Sequence, residues 1–459
     1  MNRFRKDING LRAWAVVAVV LFHFGVPGFT GGFVGVDVFF VISGFLMTGI
    51  VVGKLETPDR AASWKLDVLD FYLARARRIL PALAVLCATL IAAGWFALGP
   101  LDYAQLATHA AAALVFLSNF QFWREAGYFD IQAHEKLLLH TWSLSVEWQF
   151  CLVLPLVLLV IWKIRPGRKF LGAAILAGFA ASLFLSVALT PRATSASFYL
   201  LPTRAWELLA GSLAYLHQDR NTLSRAGNGI LELLGFLLIA FSIAAFDGAD
   251  PWPGWRAFIP VLGTALVILS RNGGSPLSTT RAAQWLGKTS YSIYLWHWPL
   301  CVALVYTGTQ GQAVPTLAAI ALSLALGWLS WKLVEEPGRQ SLAGQPRARQ
   351  FADRRNLPYE ITLCGSASVL VPFTPPGPAM AREMKRKITL WQDRYKGTPK
   401  VILLQNHGMI TLGESVDEVM MVTEMTLKFA EIFLGAAMMG GPEFLKPIHV
   451  SLIEATRMV

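Results

Sequence analysis

The chain has 459 residues, of which 54% are hydrophobic and only 15% charged, and its mean hydropathy is +0.48. That balance excludes an ordinary soluble globular protein and points to a polytopic membrane protein. The formal charge of +11 comes largely from short basic clusters beside apolar runs, which reads as topology signal and contact with anionic membrane lipids and gives no case for nucleic-acid binding.

The first apolar run, residues 11–26, follows a basic start (1–6) much as a signal peptide would. No small-residue cleavage site follows it, and Arg12 and His23 interrupt it, so it reads as an uncleaved first span. His23 lies eleven residues after Arg12, a spacing that returns to nearly the same helical face. An ionisable residue at membrane depth is a functional hypothesis in itself. The next span carries Asp37, and the Gly/Pro-rich turn 25–32 makes the two spans an antiparallel hairpin, with His23 and Asp37 at similar depth.

Runs long enough to cross a bilayer fall near 11–27, 33–53, 79–98, 142–162, 170–190, 199–217, 228–246, 256–270, 290–307 and 315–334, about ten spans. The stretch 104–122 is also apolar. The basic groups Arg3/Arg5/Lys6, Arg75/Arg77/Arg78, Lys163/Arg165/Arg168/Lys169, Arg220/Arg225, Arg271/Arg281 and Arg339/Arg347/Arg349 share one side only if 104–122 does not cross. It is therefore expected to be re-entrant or interfacial, with both termini cytoplasmic and the loops 123–140 and 247–255 outside. After Pro337 the composition turns polar and basic. Residues 401–404 predict a short buried strand, and 415–434 an amphipathic helix with Ser415 as cap and Glu418 three residues on. Cys87, Cys151, Cys301 and Cys364 are too scattered for a disulfide framework or a paired-cysteine metal site. The predicted class is an all-α polytopic membrane protein of about ten helices with a small α/β cytoplasmic fragment. Its parts are a transmembrane domain at 1–340, a linker or fusion junction at 341–358, and the fragment at 359–459.

A series of short motifs joins the spans. Asn9-Gly10-Leu11-Arg12 leads to His23, and the glycine- and phenylalanine-rich run 31–44 holds Asp37. Phe71-Tyr72 follows with Arg75, Arg78 and Pro81, then His140-Thr141-Trp142-Ser143-Leu144-Ser145-Val146-Glu147. Pro202-Thr203-Arg204-Ala205-Trp206-Glu207, the run 290–299 around Trp296-His297-Trp298, and Glu335-Glu336-Pro337 complete the series. In this order they resemble the acyltransferase-3 family of integral membrane acyltransferases.

The resemblance implies a membrane O-acyltransferase, a transferase of groups other than amino-acyl groups. Such an enzyme moves an acyl group, usually acetyl from cytoplasmic acetyl-CoA, onto a hydroxyl of a cell-surface polysaccharide, lipid-linked glycan or glycolipid. Attack of a hydroxyl on a thioester needs a base, and His23 is the candidate by resemblance and position. Asp37 is either its orienting partner or the cap of the second span. Arg12, Arg75 and Arg78 suit the phosphates of coenzyme A, against a plain topological role that is favoured for Arg77. Trp142 and Glu147 are candidates for the acceptor side. Arg204 and Glu207 are supporting residues or a structural ion pair, and His297 a supporting residue or a packed histidine. His140 reads as a solvated loop residue. No metal is expected. The implied location is the inner (plasma) membrane.

The tail, from Val371-Pro372-Phe373 through Lys400–Gly408 to the helix beyond, resembles the carboxyl-terminal half of a class II aldolase/adducin domain. There His407 matches one zinc-binding histidine, but the His-x-His pair that would complete the site is missing. The tail is then a vestigial, aldolase-like binding module. The rival reading of the buried charges is a secondary transporter; no pair of matching broken spans supports it, and the arginine group suits a phosphate-rich cosubstrate.

Overall fold

Hydroxyl and proline residues mark several helix starts. Ser224 accepts a hydrogen bond from the Gly227 amide at 3.2 Å and Thr280 one from Ala283 at 3.2 Å, while prolines occupy the first turns of Pro100–Leu114, Leu201–His217 and Pro276–Thr279. The computed structural model describes residues 5–56, 64–126, 135–337, 363–365, 367–374, 377–405 and 408–438. It divides into two units, Met1–Leu342 and Ala343–Val459.

The first unit is a helical bundle: α1 (Lys6–His23), α2 (Gly35–Leu55), α3 (Trp64–Ala97), α4 (Pro100–Leu114), α5 (Ser118–Glu125), α6 (Thr141–Ile164) and α7 (Arg168–Leu189), then α8 (Thr194–Tyr199), α9 (Leu201–His217), α10 (Arg225–Ala245), α11 (Phe258–Ser270), α12 (Pro276–Thr279), α13 (Arg281–Tyr306) and α14 (Ala313–Ser330), with a π-turn at Trp331–Glu335. Helices α1, α2, α9 and α13 bury Asp7, Asn9, Asp37, Arg204, Glu207 and His297. The apolar window of α2 is 78% buried, whereas those of α7 and α14 are 22% buried and turn most of their surface outward.

Close approach at the centre depends on glycine. A Cβ at Gly44 would meet the Leu208 carbonyl, one at Gly211 the Val41 carbonyl, and one at Gly287 the Asn9 carbonyl. Small residues let helix backbones pack this tightly within a membrane. Asp37, Val41 and Gly44, at i, i+4 and i+7, thereby form the stripe of α2 that faces α9.

Among the described residues, six helices are long and apolar enough to cross a membrane, and α11 is shorter; ten such helices are not found. The physical reason is that α1, α9 and α13 carry Asp7, Asn9, Arg12, His23, Arg204, Glu207 and His297, which the packed interior can hold but an average hydropathy cannot credit. The apolar stretch 104–122 is broken at Phe116, whose φ of 57° ends the helical run, into α4 of 15 and α5 of 8 residues. Neither is long enough to cross a hydrocarbon core about 30 Å thick.

In the second unit, β1 (Val369–Val371) runs parallel to β2 (Val401–Leu404), which is antiparallel to β3 (Gly408–Thr411). Met384, Ile388 and Trp391 of α15 (Pro378–Tyr395) pack on Val369, Val371 and Ile402. Val422 and Met425 of α16 (Val416–Met438) pack with Cys364 and Val401. The predicted strand and helix are present, and Ser415 accepts from the Glu418 amide at 3.2 Å. His407 lies outside the described residues.

Candidate active site

Two of the polar clusters inside the bundle hold the histidine and aspartate singled out by the sequence. In the first, His23 at the end of α1 places Nδ1 3.0 Å from Nε2 of His297 on α13. His297 donates through Nδ1 to the Tyr294 carbonyl at 2.6 Å. Because a carbonyl only accepts, that nitrogen carries the proton, and in a neutral ring Nε2 of His297 is then an acceptor. His23 must therefore donate through Nδ1, which puts its basic lone pair on Nε2. Trp298 packs edge-on against the His23 ring at 4.7 Å, and the Cys301 thiol donates to the His23 carbonyl at 2.9 Å.

The second cluster holds Asp37. Arg204 Nη1 donates to Asp37 at 2.8 Å and to Glu207 at 2.7 Å, and its Nε to the Phe198 carbonyl at 3.1 Å. Trp252 Nε1 donates to the same Asp37 oxygen at 3.3 Å. The guanidinium lies 5.1 to 5.8 Å from the ring centres of Phe198, Trp142 and Phe40. The expected pairing of Asp37 with His23 is thus corrected: the carboxylate belongs to Arg204, and an imidazole takes the place beside His23. The stripe Asp37–Val41–Gly44 points at α9, so equal depth did not bring the two residues face to face.

Trp142 is also relocated. It is buried against Arg204, Phe198 and Tyr199. Glu147 accepts from Ser43 at 2.8 Å and lines a cavity of about 90 Å³ together with Arg12, Arg75, Arg78, Ser143, Tyr291 and Tyr294. That places it with the arginines. The second cavity, about 620 Å³, shares Arg12, Leu46 and Arg78 with the first and adds Arg5, Gln284 and Lys288 at the starts of α1 and α13. Arg75 is only 8% exposed, and its Nε and Nη2 have no hydrogen-bond partner. A buried guanidinium with unused donors is suited to an anionic ligand. Arg77 is exposed. Among the described residues, no group of three or more His, Cys, Asp or Glu could hold a metal ion.

A sequence profile described as an acyltransferase domain matches residues 5–332. The chain belongs to the acyltransferase-3 family. The chain is 33% identical over 377 residues to a protein of Komagataeibacter xylinus described as a membrane-bound transacylase, covering 80% of this chain and 90% of that one. It is 29% identical over 357 residues to a peptidoglycan O-acetyltransferase of Listeria monocytogenes, covering 74% and 56%. To an O-acetyltransferase of Staphylococcus aureus it is 28% identical over 373 residues, covering 76% and 60%. This chain thus spans little more than half the length of the Listeria relative. A second profile, the class II aldolase and adducin N-terminal domain, matches 318–434, starting within α14. No solved structure matches the chain.

As a membrane acyltransferase of this family, the chain has its histidine pair on α1 and α13, two helices that also help line both arginine-bearing cavities, to which α3 contributes Arg75 and Arg78. Helices α1 and α13 run parallel, with Asn9 bonded to Gln284 at 2.8 Å near their starts and His23 to His297 further along. Arg12 and His23 are therefore separated by about 16 Å of helix rise. Sequence reasoning left His297 as a packed histidine. The one signal available was its place between two tryptophans, which fits packing as well as chemistry.

Proposed function

We propose that this acyltransferase takes acyl groups, acetyl in the first instance, from acyl-CoA at its cytoplasmic end and places them on a hydroxyl of a cell-surface saccharide or lipid-linked glycan at the opposite face. The observation that carries the reading is the His23–His297 pair on the same parallel helices that line the arginine-rich mouth. Arg12, Arg75 and Arg78 bind the phosphates, and the narrower cavity admits the thioester arm.

In the transfer, Nε2 of His23 removes the proton of the acceptor hydroxyl as its oxygen attacks the thioester carbonyl. The new C–O bond forms, the C–S bond breaks, and the proton ends on the departing coenzyme A thiolate. His297 accepts the hydrogen bond from Nδ1 of His23 throughout and so fixes the tautomer in which Nε2 is basic. The name of the Listeria relative, a peptidoglycan O-acetyltransferase, supports a saccharide acceptor.

Sidedness follows the basic clusters. Arg168 bonds Glu56 at 2.5 Å, and Arg168 and Arg271 both reach Asp219, at 3.4 and 3.2 Å, so the ends of α2, α7, α9 and α11 lie at one end of the bundle. With that end cytoplasmic, the chain crosses the inner membrane ten times, counting α1, α9, α11 and α13 among the spans, and both termini are inside. Reporter fusions at Glu125 and Gly248 are expected outside and at Lys169 inside; an inside signal at Glu125 refutes the topology. Acetyl-CoA consumption by purified protein tests the donor, and its absence refutes the reading.

A further inference from the structure

The histidine pair has a third histidine beside it. His140, at the N-terminus of α6, is 3% exposed, and its ring centre lies 5.9 Å from that of His297, 5.5 Å from Tyr294 and 6.3 Å from Trp298. Trp298 is the same indole that packs on His23. The backbone of His140 is well held: its carbonyl accepts from the Tyr294 hydroxyl at 2.9 Å and from Ser143 at 3.2 Å. The side chain is not. Neither Nδ1 nor Nε2 meets a partner at full hydrogen-bond geometry, the ring having only a weak backbone contact at Leu295, and it does not cap the helix it precedes.

A neutral imidazole always presents one N–H donor and one lone pair. Burying both without partners is a net cost, and folded proteins rarely leave such groups unsatisfied unless something else arrives to meet them. The surroundings say what that is. The rings around His140 are Tyr294, His297 and Trp298, and they supply no fixed charge to balance an ion. A neutral hydroxyl offers one donor and one acceptor, the complement of the imidazole. The geometry points to His140 as the residue that holds the acceptor: it binds a hydroxyl of the saccharide and so presents the neighbouring hydroxyl to His23. This rests on the acyltransferase reading above, and His140 acts as a binding and positioning residue, separate from the base.

The test uses full-length protein in cells that make its natural acceptor, with alkali-labile acetate on the envelope polymers as the readout. Acetyl-CoA binding and the melting temperature of the purified protein are measured alongside. His140→Phe keeps an aromatic ring and removes both nitrogens. It is expected to fold with an unchanged or higher melting temperature and to bind acetyl-CoA within twofold of wild type, while envelope acetate falls at least tenfold. His140→Gln, whose amide again offers a donor and an acceptor, is expected to recover part of the loss. Envelope acetate within twofold of wild type in a stable His140→Phe protein overturns the proposal and leaves the ring a packing element or the partner of an internal water. Loss of acetyl-CoA binding in step with transfer, or no recovery with His140→Gln, also overturns it. If wild-type protein itself neither binds acetyl-CoA nor acetylates the envelope, the acyltransferase reading fails instead.

Discussion

The Arg204 and His23 clusters in the bundle are made of similar material, ionisable groups enclosed by aromatic rings, but they differ in how their groups are paired. Around Arg204 the cation meets two carboxylates, a carbonyl and three ring faces, all supplied by α2, α6, α8 and α9. Around His23 the hydrogen-bond chain runs from the Tyr294 carbonyl through His297 to His23, with His140 unsatisfied alongside. The first cluster staples helices together. The second links α1 to α13 through two imidazoles and is the end at which transfer is proposed to occur. Both clusters leave some atoms without partners, since Asp37 Oδ2 and Glu207 Oε2 lack them as the His140 nitrogens do. It is therefore the chemistry of the groups, an arginine between carboxylates against a chain of imidazoles, that separates the staple from the proposed site.

The largest effect expected is from His23→Ala, which should lower acyl transfer by about 100-fold or more, the usual worth of a general base, while the protein still inserts and melts normally. Acetate release onto the envelope is the measurement, and near wild-type turnover would falsify the assignment of the base. The staple should respond in the opposite currency. Arg204→Met strands two buried carboxylates, at a cost of about 3–5 kcal/mol, so thermal unfolding in detergent should shift down sharply and activity should vanish with the fold. Adding Asp37→Asn and Glu207→Gln to that variant should restore much of the melting temperature; if it does not, the arginine has a role beyond pairing.

Smaller effects sharpen the contrast. Arg75→Gln should weaken acyl-CoA binding by roughly 10- to 100-fold, the worth of charge-assisted hydrogen bonds of about 1.5–3 kcal/mol, with turnover at saturating donor little changed. A drop in turnover with unchanged donor affinity would move Arg75 out of the phosphate site. Asp37→Asn alone should keep more than half of the activity, because its neighbour is Arg204; abolished transfer in a protein of normal stability would mean that the carboxylate serves His23 after all. Least of all should follow from truncation after Gln350, since the tail forms a unit of its own. Lost thioester consumption with normal expression would show that the tail completes the site.

Much of this was legible locally. Apolar runs, the strand at 401–404 and the helix capped by Ser415 follow from periodicity, turn residues and capping, which involve neighbours only a few residues apart, whereas the break of 104–122 at Phe116 was seen only in the structure. The motifs also singled out His23, Arg12, Arg75 and Arg78, because an ionisable residue in an apolar run stands out whatever surrounds it. By length and composition alone six helices pass as spans among the described residues, because polar residues on α1, α9 and α13 make sense only inside a packed bundle.

What the sequence by itself determined about this protein is that it is a membrane bundle with a histidine and a set of arginines at the depths where they matter, since composition and position along a span fix both. Which group meets which was decided by the tertiary structure alone. His23 finds His297 across 274 residues and Asp37 finds Arg204 across 167, and each meeting depends on how a helix is rotated about its axis. A step of one residue turns a side chain by about 100°, and glycine contacts such as Gly44 with Leu208 and Gly211 with Val41 hold α2 against α9 at the rotation that turns Asp37 toward Arg204.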